Sequence, residues 1–137
     1  MKKRPTFDVI IVGGGLAGLT SAIHLSKQNK EVLLVEKNEY PKHKVCGEYI
    51  SNEVLPYLNS LGIYPLSEGA KQITKVHIST IKSNLIKGEL PLGGFGMSRY
   101  FLDDLLVKKA RLNFRPGFSL RSMLKTLVYK KAQDQVA

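Results

Sequence analysis

The chain has 137 residues, 43% hydrophobic and 23% charged, an ordinary globular composition near the common size of one domain. Its formal net charge of +10 invites a nucleic-acid or membrane reading. However, no aromatic–basic interleaving or zinc spacing supports nucleic acid, and no apolar run approaches the ~20 residues of a membrane span. The one cysteine, Cys46, excludes an internal disulfide.

Lys2, Lys3 and Arg4 precede an apolar run over residues 9–19, as in a signal peptide. Asp8 and three glycines interrupt that pattern and no small-residue cleavage site follows, so a cytoplasmic location is expected. Residues 7–12 read as a buried parallel strand, short, β-branched and stopped by glycine. A helix is predicted over 15–28, with Leu16, Leu19 and Ile23 on one face. Asn29 and Lys30 form a turn, and residues 31–35 a second buried strand with Glu36 at its carboxyl end. Residues 37–50 read as an irregular loop. Ser51 or Asn52 caps a short helix reaching residue 61, with Gly62 past its end, and Pro56 is tolerated there only in the first turn. Val76 and Ile78 alternate with Lys75, His77 and Ser79 as in a half-exposed strand. Ser83 and Asn84 turn the chain into Leu85 and Ile86, which predicts antiparallel pairing. Residues 91–96 read as a glycine-rich loop. A helix over 98–110 places Leu102, Leu105, Leu106 and Ala110 on one face. The fold class is α/β, a Rossmann-like three-layer nucleotide-binding domain, truncated, with the start of an antiparallel β layer.

Gly13-Gly14-Gly15-Leu16-Ala17-Gly18 matches G-x-G-x-x-G. Alone the pattern is weak, but here it follows a strand, opens a helix and precedes an acid at the end of a second strand. Gly13 permits the tight turn, Gly15 lets a pyrophosphate approach the backbone, and Gly18 lets the helix pack close to the sheet. The helix N-terminus offers N–H groups and a positive dipole end to phosphates. Glu36 can accept hydrogen bonds from the adenosine ribose hydroxyls and would repel a 2′-phosphate. By itself this fingerprint does not separate FAD from NAD.

Three segments in order carry a resemblance: Asp8-Val9-Ile10-Ile11-Val12-Gly13-Gly14-Gly15 with Gly18; Lys44-Val45-Cys46-Gly47-Glu48-Tyr49-Ile50-Ser51; and Gly96-Met97-Ser98-Arg99 with Leu102-Asp103 and Leu105-Leu106. Over roughly residues 6–110 the chain resembles the FAD-dependent monooxygenase, halogenase and geranylgeranyl-reductase-like flavoproteins. The resemblance implies FAD as cofactor, a loop after the second strand that runs toward the flavin, and an arginine, Arg99, that helps hold the FAD. The expected cofactor-binding set is Gly13, Gly15, Leu16, Ala17, Gly18, Glu36, Lys37, Lys44, Cys46, Gly47 and Arg99. It further implies a small hydrophobic organic substrate and an electron donor such as NAD(P)H or a reductase. An NAD-dependent dehydrogenase would keep the fingerprint but leave residues 44–51 and 96–106 unexplained.

A cation in a helix's first turn opposes the dipole by ~0.3–1 kcal/mol, so an anion near Arg99, such as a cofactor phosphate, would offset that. Asp103 and Asp104 read as capping or salt-bridge residues. The candidates for catalysis are Cys46 and Glu48. His43 and Lys44 would lower the pKa of a reactive Cys46 thiol, whereas a passive cysteine would be partly buried. Glu48 serves as acid or base only if desolvated. His24 and His77 read as ordinary surface-compatible residues, and no residue spacing suggests a metal.

The family pattern fails after about residue 110, where relatives of this kind continue with a further strand and later a Gly-Asp fingerprint for the ribityl phosphate. Residues 1–111 form the expected FAD-binding part. Residues 112–137 form an atypical basic helical tail, with five Lys/Arg against one Asp. A membrane-surface helix, a packed helix and a shifted reading frame all account for it, and the shifted frame is the favoured reading. The alternative function is a non-catalytic fragment that binds ADP or FAD without turnover.

Overall fold

A computed structural model describes residues 6–46, 48–82 and 85–113. Residues 1–5, with Lys2, Lys3 and Arg4, Gly47, Ser83, Asn84 and residues 114–137 lie outside them, and with them nearly all of the expected basic tail. The chain divides into two compact units. Of the described residues, those over 6–42 and 103–113 make the first, and those over 43–102 the second.

The first unit is a βαβ. Strand β1 (Val9–Val12) and strand β2 (Val32–Val35) pair in parallel, Val9 opposite Val32 through Val12 opposite Val35. Helix α1 (Leu16–Lys27) joins them. Both strands are β-branched or leucine throughout, and Val32, Leu34 and Val35 are buried. Helix α1 buries Leu19, Ala22 and Ile23 completely. Each large aliphatic side chain so placed contributes roughly 1.5–3 kcal/mol relative to exposure. The register is clamped at its start: the Asp8 carboxylate accepts the Glu31 backbone N–H at 2.8 Å, while the Asp8 N–H donates to the Glu31 carbonyl at 2.8 Å.

The second unit holds a three-stranded antiparallel sheet of order β3-β5-β4: β3 (Tyr49–Ser51), β4 (Lys71–Ser79) and β5 (Leu85–Gly96). The expected antiparallel layer is present, with Ser79 opposite Leu85. A 3-10 turn (Asn52–Val54) leads into helix α2 (Leu55–Ser60), whose Pro56 falls in the first turn, where no N–H is needed. The Ser51 hydroxyl accepts the Glu53 N–H at 3.4 Å, the cap expected from sequence. Gly62 follows at φ +75°. Helix α3 (Arg99–Asn113) begins in this unit and continues into the first, burying Leu102, Leu106, Val107 and Ala110.

Two expectations fail. β1 is not the buried strand expected over residues 7–12, since Phe7, Ile10 and Val12 are exposed and Val9 and Ile11 only half-buried. Residues 91–96 are not a loop but the second half of β5. Their glycines serve close approach within a sheet rather than a turn. A Cβ at Gly94 would overlap the Tyr49 ring, and Gly93, at φ +67°, has its carbonyl bonded by the Tyr49 hydroxyl at 3.2 Å. The register shifts between Ile73 and Lys75, opposite this segment.

At Gly18 the backbone itself closes the space. A Cβ there would overlap the Gly13 carbonyl oxygen and lie 3.4 Å from Ile11 Cγ2. Gly18→Ala is therefore expected to destabilise the first unit by roughly 1–3 kcal/mol, while Ala17→Ser, on the exposed side of the same turn, leaves stability nearly unchanged. Thermal melting followed by circular dichroism compares them, and equal melting temperatures would contradict the close packing of helix on turn.

Candidate functional site

The site begins where β1 ends. Gly13 adopts φ +102°, a conformation side chains resist, and its N–H donates to the Val35 carbonyl at 2.8 Å. The chain thus leaves the sheet still tied to β2. Gly15 caps α1 in extended geometry with no side-chain bond, and Leu16 and Ala17 form the helix's first turn. This is the geometry in which backbone N–H groups and the helix dipole attract phosphate.

Glu36 follows β2 directly and is buried, at 7% exposure. Its Oε2 accepts the Gly14 N–H at 2.7 Å. Its Oε1 accepts the Asn38 backbone N–H and the Asn38 Nδ2, both at 2.9 Å, and pairs with Lys42 Nζ at 2.9 Å. Burial pushes the Glu36 pKa up. The Lys42 hydrogen bond and charge and the Asn38 and Gly14 N–H groups outweigh it, holding the carboxyl at about 2 rather than 4.5. The segment after Glu36 folds back over the turn. The Tyr40 hydroxyl donates to the Gly14 carbonyl, and Lys42 Nζ lies 4.8 Å from the Tyr40 ring centroid. A Cβ at Gly14 would overlap the Tyr40 hydroxyl and sit 3.1 Å from Glu36 Cβ.

Gly13, Gly15, Leu16, Ala17, Gly18 and Glu36 therefore come together, as the motif requires. Lys37 belongs to the same unit and is exposed. Three residues absent from the sequence reading, Asn38, Tyr40 and Lys42, are as close to Glu36 and the turn as any expected there. The one signal for them is their short sequence distance from Glu36.

The other expected residues lie in the second unit. Cys46 is exposed, which removes the partly buried reading of it. Lys44 is exposed and Gly47 lies outside the described residues. Glu48 adopts φ +58°, and its carbonyl accepts the Met97 N–H at 3.0 Å. It lines a cleft of about 450 Å³ with Glu68, Gly69, Gly96, Met97, Ser98 and Phe101. Glu48 is exposed, so the desolvation that would suit an acid or base is absent from this arrangement. Arg99 is the first residue of α3, as expected. The His43 and Tyr100 rings stack at 4.6 Å, holding the start of the Lys44–Cys46 stretch against the first turn that carries Arg99. Asp104 pairs with Lys108 at 2.8 Å, and Asp103 is fully buried. His24 is exposed on α1 and His77 on β4. Among the described residues, no group of His, Cys, Asp or Glu has metal-binding geometry, and no helix is long and apolar enough to cross a membrane.

Residues 8–50 match the family of FAD dependent oxidoreductases. FAD is the cofactor of that family. The wider chain is 32% identical over 113 residues to the protein Mbar_A1602 of Methanosarcina barkeri, covering 80% of this chain and 27% of that one. It is 41% identical over 81 residues to the FAD-dependent monooxygenase spyC of Aspergillus fumigatus, covering 56% of this chain and 16% of the relative. Its structure superposes on that of 2-methyl-3-hydroxypyridine-5-carboxylic acid oxygenase with a TM-score of 0.69 at 28% identity, over 81% of this chain and 30% of the other. The chain thus spans about a quarter of the length of the first of these relatives and less of the second.

The Glu36 environment makes stability depend on pH. A carboxyl whose pKa is lower in the folded than the unfolded chain stabilises the fold fully above the unfolded value of 4.5, and that contribution fades as pH falls through about 2. Its size is on the order of 3 kcal/mol. Glu36→Gln is expected to flatten the fall in melting temperature across that window, and parallel curves for the two proteins would contradict the assignment.

Proposed function

We propose that this chain binds the ADP half of FAD on its βαβ unit and serves flavin-dependent oxidation or reduction of a small organic, hydrophobic substrate, with NAD(P)H or a reductase as electron donor. The observation that carries the reading is the buried, ionised Glu36 carboxylate bonded to the Gly14 amide beside an α1 N-terminus that has no side-chain cap. A hydroxyl acceptor and a phosphate cradle side by side are the two features an adenosine diphosphate needs.

The residues present fit that half of the cofactor. Gly13, Gly15 and Gly18 shape the turn, the amides of Leu16 and Ala17 face the pyrophosphate, Glu36 takes the ribose hydroxyls, and Lys37 adds positive charge nearby. Lys44, Cys46, Gly47 and Arg99 form the flavin-side contacts in this reading, with the Arg99 guanidinium offsetting cofactor phosphate. When bound, the flavin supplies the redox chemistry, and the protein positions it and shields it from water. In this reading Cys46 and Glu48 lie toward the flavin or the substrate.

Flavin fluorescence measures the binding directly. FAD added to the 137-residue chain is expected to bind saturably, and Glu36→Gln to weaken it about tenfold or more, the cost of weakening hydrogen bonds to a charged acceptor. A folded chain that binds no FAD, or that binds it equally well after the Glu36→Gln exchange, would overturn the proposal.

A further inference from the structure

Glu36 meets more donors than a waiting ribose site needs. A carboxylate offers about two lone-pair positions on each oxygen. Oε2 uses one for the buried Gly14 N–H and keeps one open. Oε1 already faces three donors, from the Asn38 backbone, the Asn38 side chain and Lys42. Because Oε1 already carries three donors on about two lone-pair positions, a ribose hydroxyl can bond there only by replacing one of them, while a second hydroxyl takes the open position on Oε2. The Asn38 groups sit two residues away on the same tight turn. Lys42 reaches back from further along the chain on a long flexible stem, is 19% exposed, and rests on the Tyr40 ring. It is the donor that can leave.

Building on the ADP-binding reading, we propose that Lys42 is an exchangeable counter-ion that closes the adenosine-ribose position of the free chain and leaves Glu36 when a vicinal diol docks. In the free chain Lys42 supplies the positive charge opposite the buried carboxylate. On docking, the ribose hydroxyls take over that role and the ammonium swings to solvent. Lys42 thus sets how strongly the site distinguishes a nucleotide with ribose hydroxyls from one without.

The test compares the full chain with K42M, K42Q and K42R by calorimetric titration of ADP and of 2′,3′-dideoxy-ADP. Using the ratio of the two affinities cancels any general loss of attraction between a less basic protein and the diphosphate. The preference for ADP is expected to rise about two- to fivefold in K42M, the range for losing one part-exposed ion pair. K42R keeps the pair and stays near the wild-type ratio, and K42Q falls between. If K42M loses its folded spectrum, K42Q carries the same comparison. A wild-type preference for ADP that neither K42M nor K42Q raises overturns the counter-ion role alone. A wild-type chain with no preference for ADP overturns both this role and the assignment of Glu36 to the ribose.

Discussion

The hydrogen bond from the Gly14 N–H to the Glu36 carboxylate joins the two strand ends from which the site is made. β1 delivers the glycine turn, β2 delivers the acid, and parallel pairing of Val12 with Val35 puts the next residues of both strands side by side. The Gly13 N–H reinforces the tie by bonding the Val35 carbonyl. Everything assigned to the ADP half of the cofactor sits on this junction. The α1 N-terminus is aimed by the turn, Gly18 packs against the Gly13 carbonyl, and Tyr40 closes over Gly14.

A buried carboxylate is costly unless it is paired and hydrogen-bonded. Glu36 meets that condition with backbone and side-chain donors together, which is why it stays ionised despite burial. The same acid therefore serves the fold and, in the proposed function, the ligand. Its bond to Gly14 fixes the glycine turn, and its second oxygen is the one contested between Lys42 and a ribose. Removing the side chain outright would confound the two roles, whereas exchanging Lys42 touches the second and spares the Gly14 bond.

Most of the first unit was legible in the sequence, because its signals are local. Glycine stops a β-branched run, Leu16, Leu19 and Ile23 repeat at helical spacing, and an acid ends the second strand. The Asp8 clamp on Glu31 and the Lys42–Tyr40 cover were not legible, since they join residues whose proximity exists only once the chain has folded. Residues 91–96 misled for a different reason. Glycines there look like a turn, and only the Tyr49 ring lying against Gly94 shows why a strand needs them. In the second unit Cys46, tempting by its neighbours, proves exposed, while the His43–Tyr100 stack that anchors its loop carries no sequence signature.

In the proposed function the junction of β1, α1 and β2 holds the ADP half of FAD. Amide chemical-shift mapping of the chain on titration with ADP tests it most directly, because it reports where the ligand sits rather than whether it binds. Saturable shifts concentrated at the amides of Gly14, Gly15, Leu16, Ala17 and Asn38 are expected. Shifts confined to residues 43–102, or no shifts in a folded chain, would contradict it.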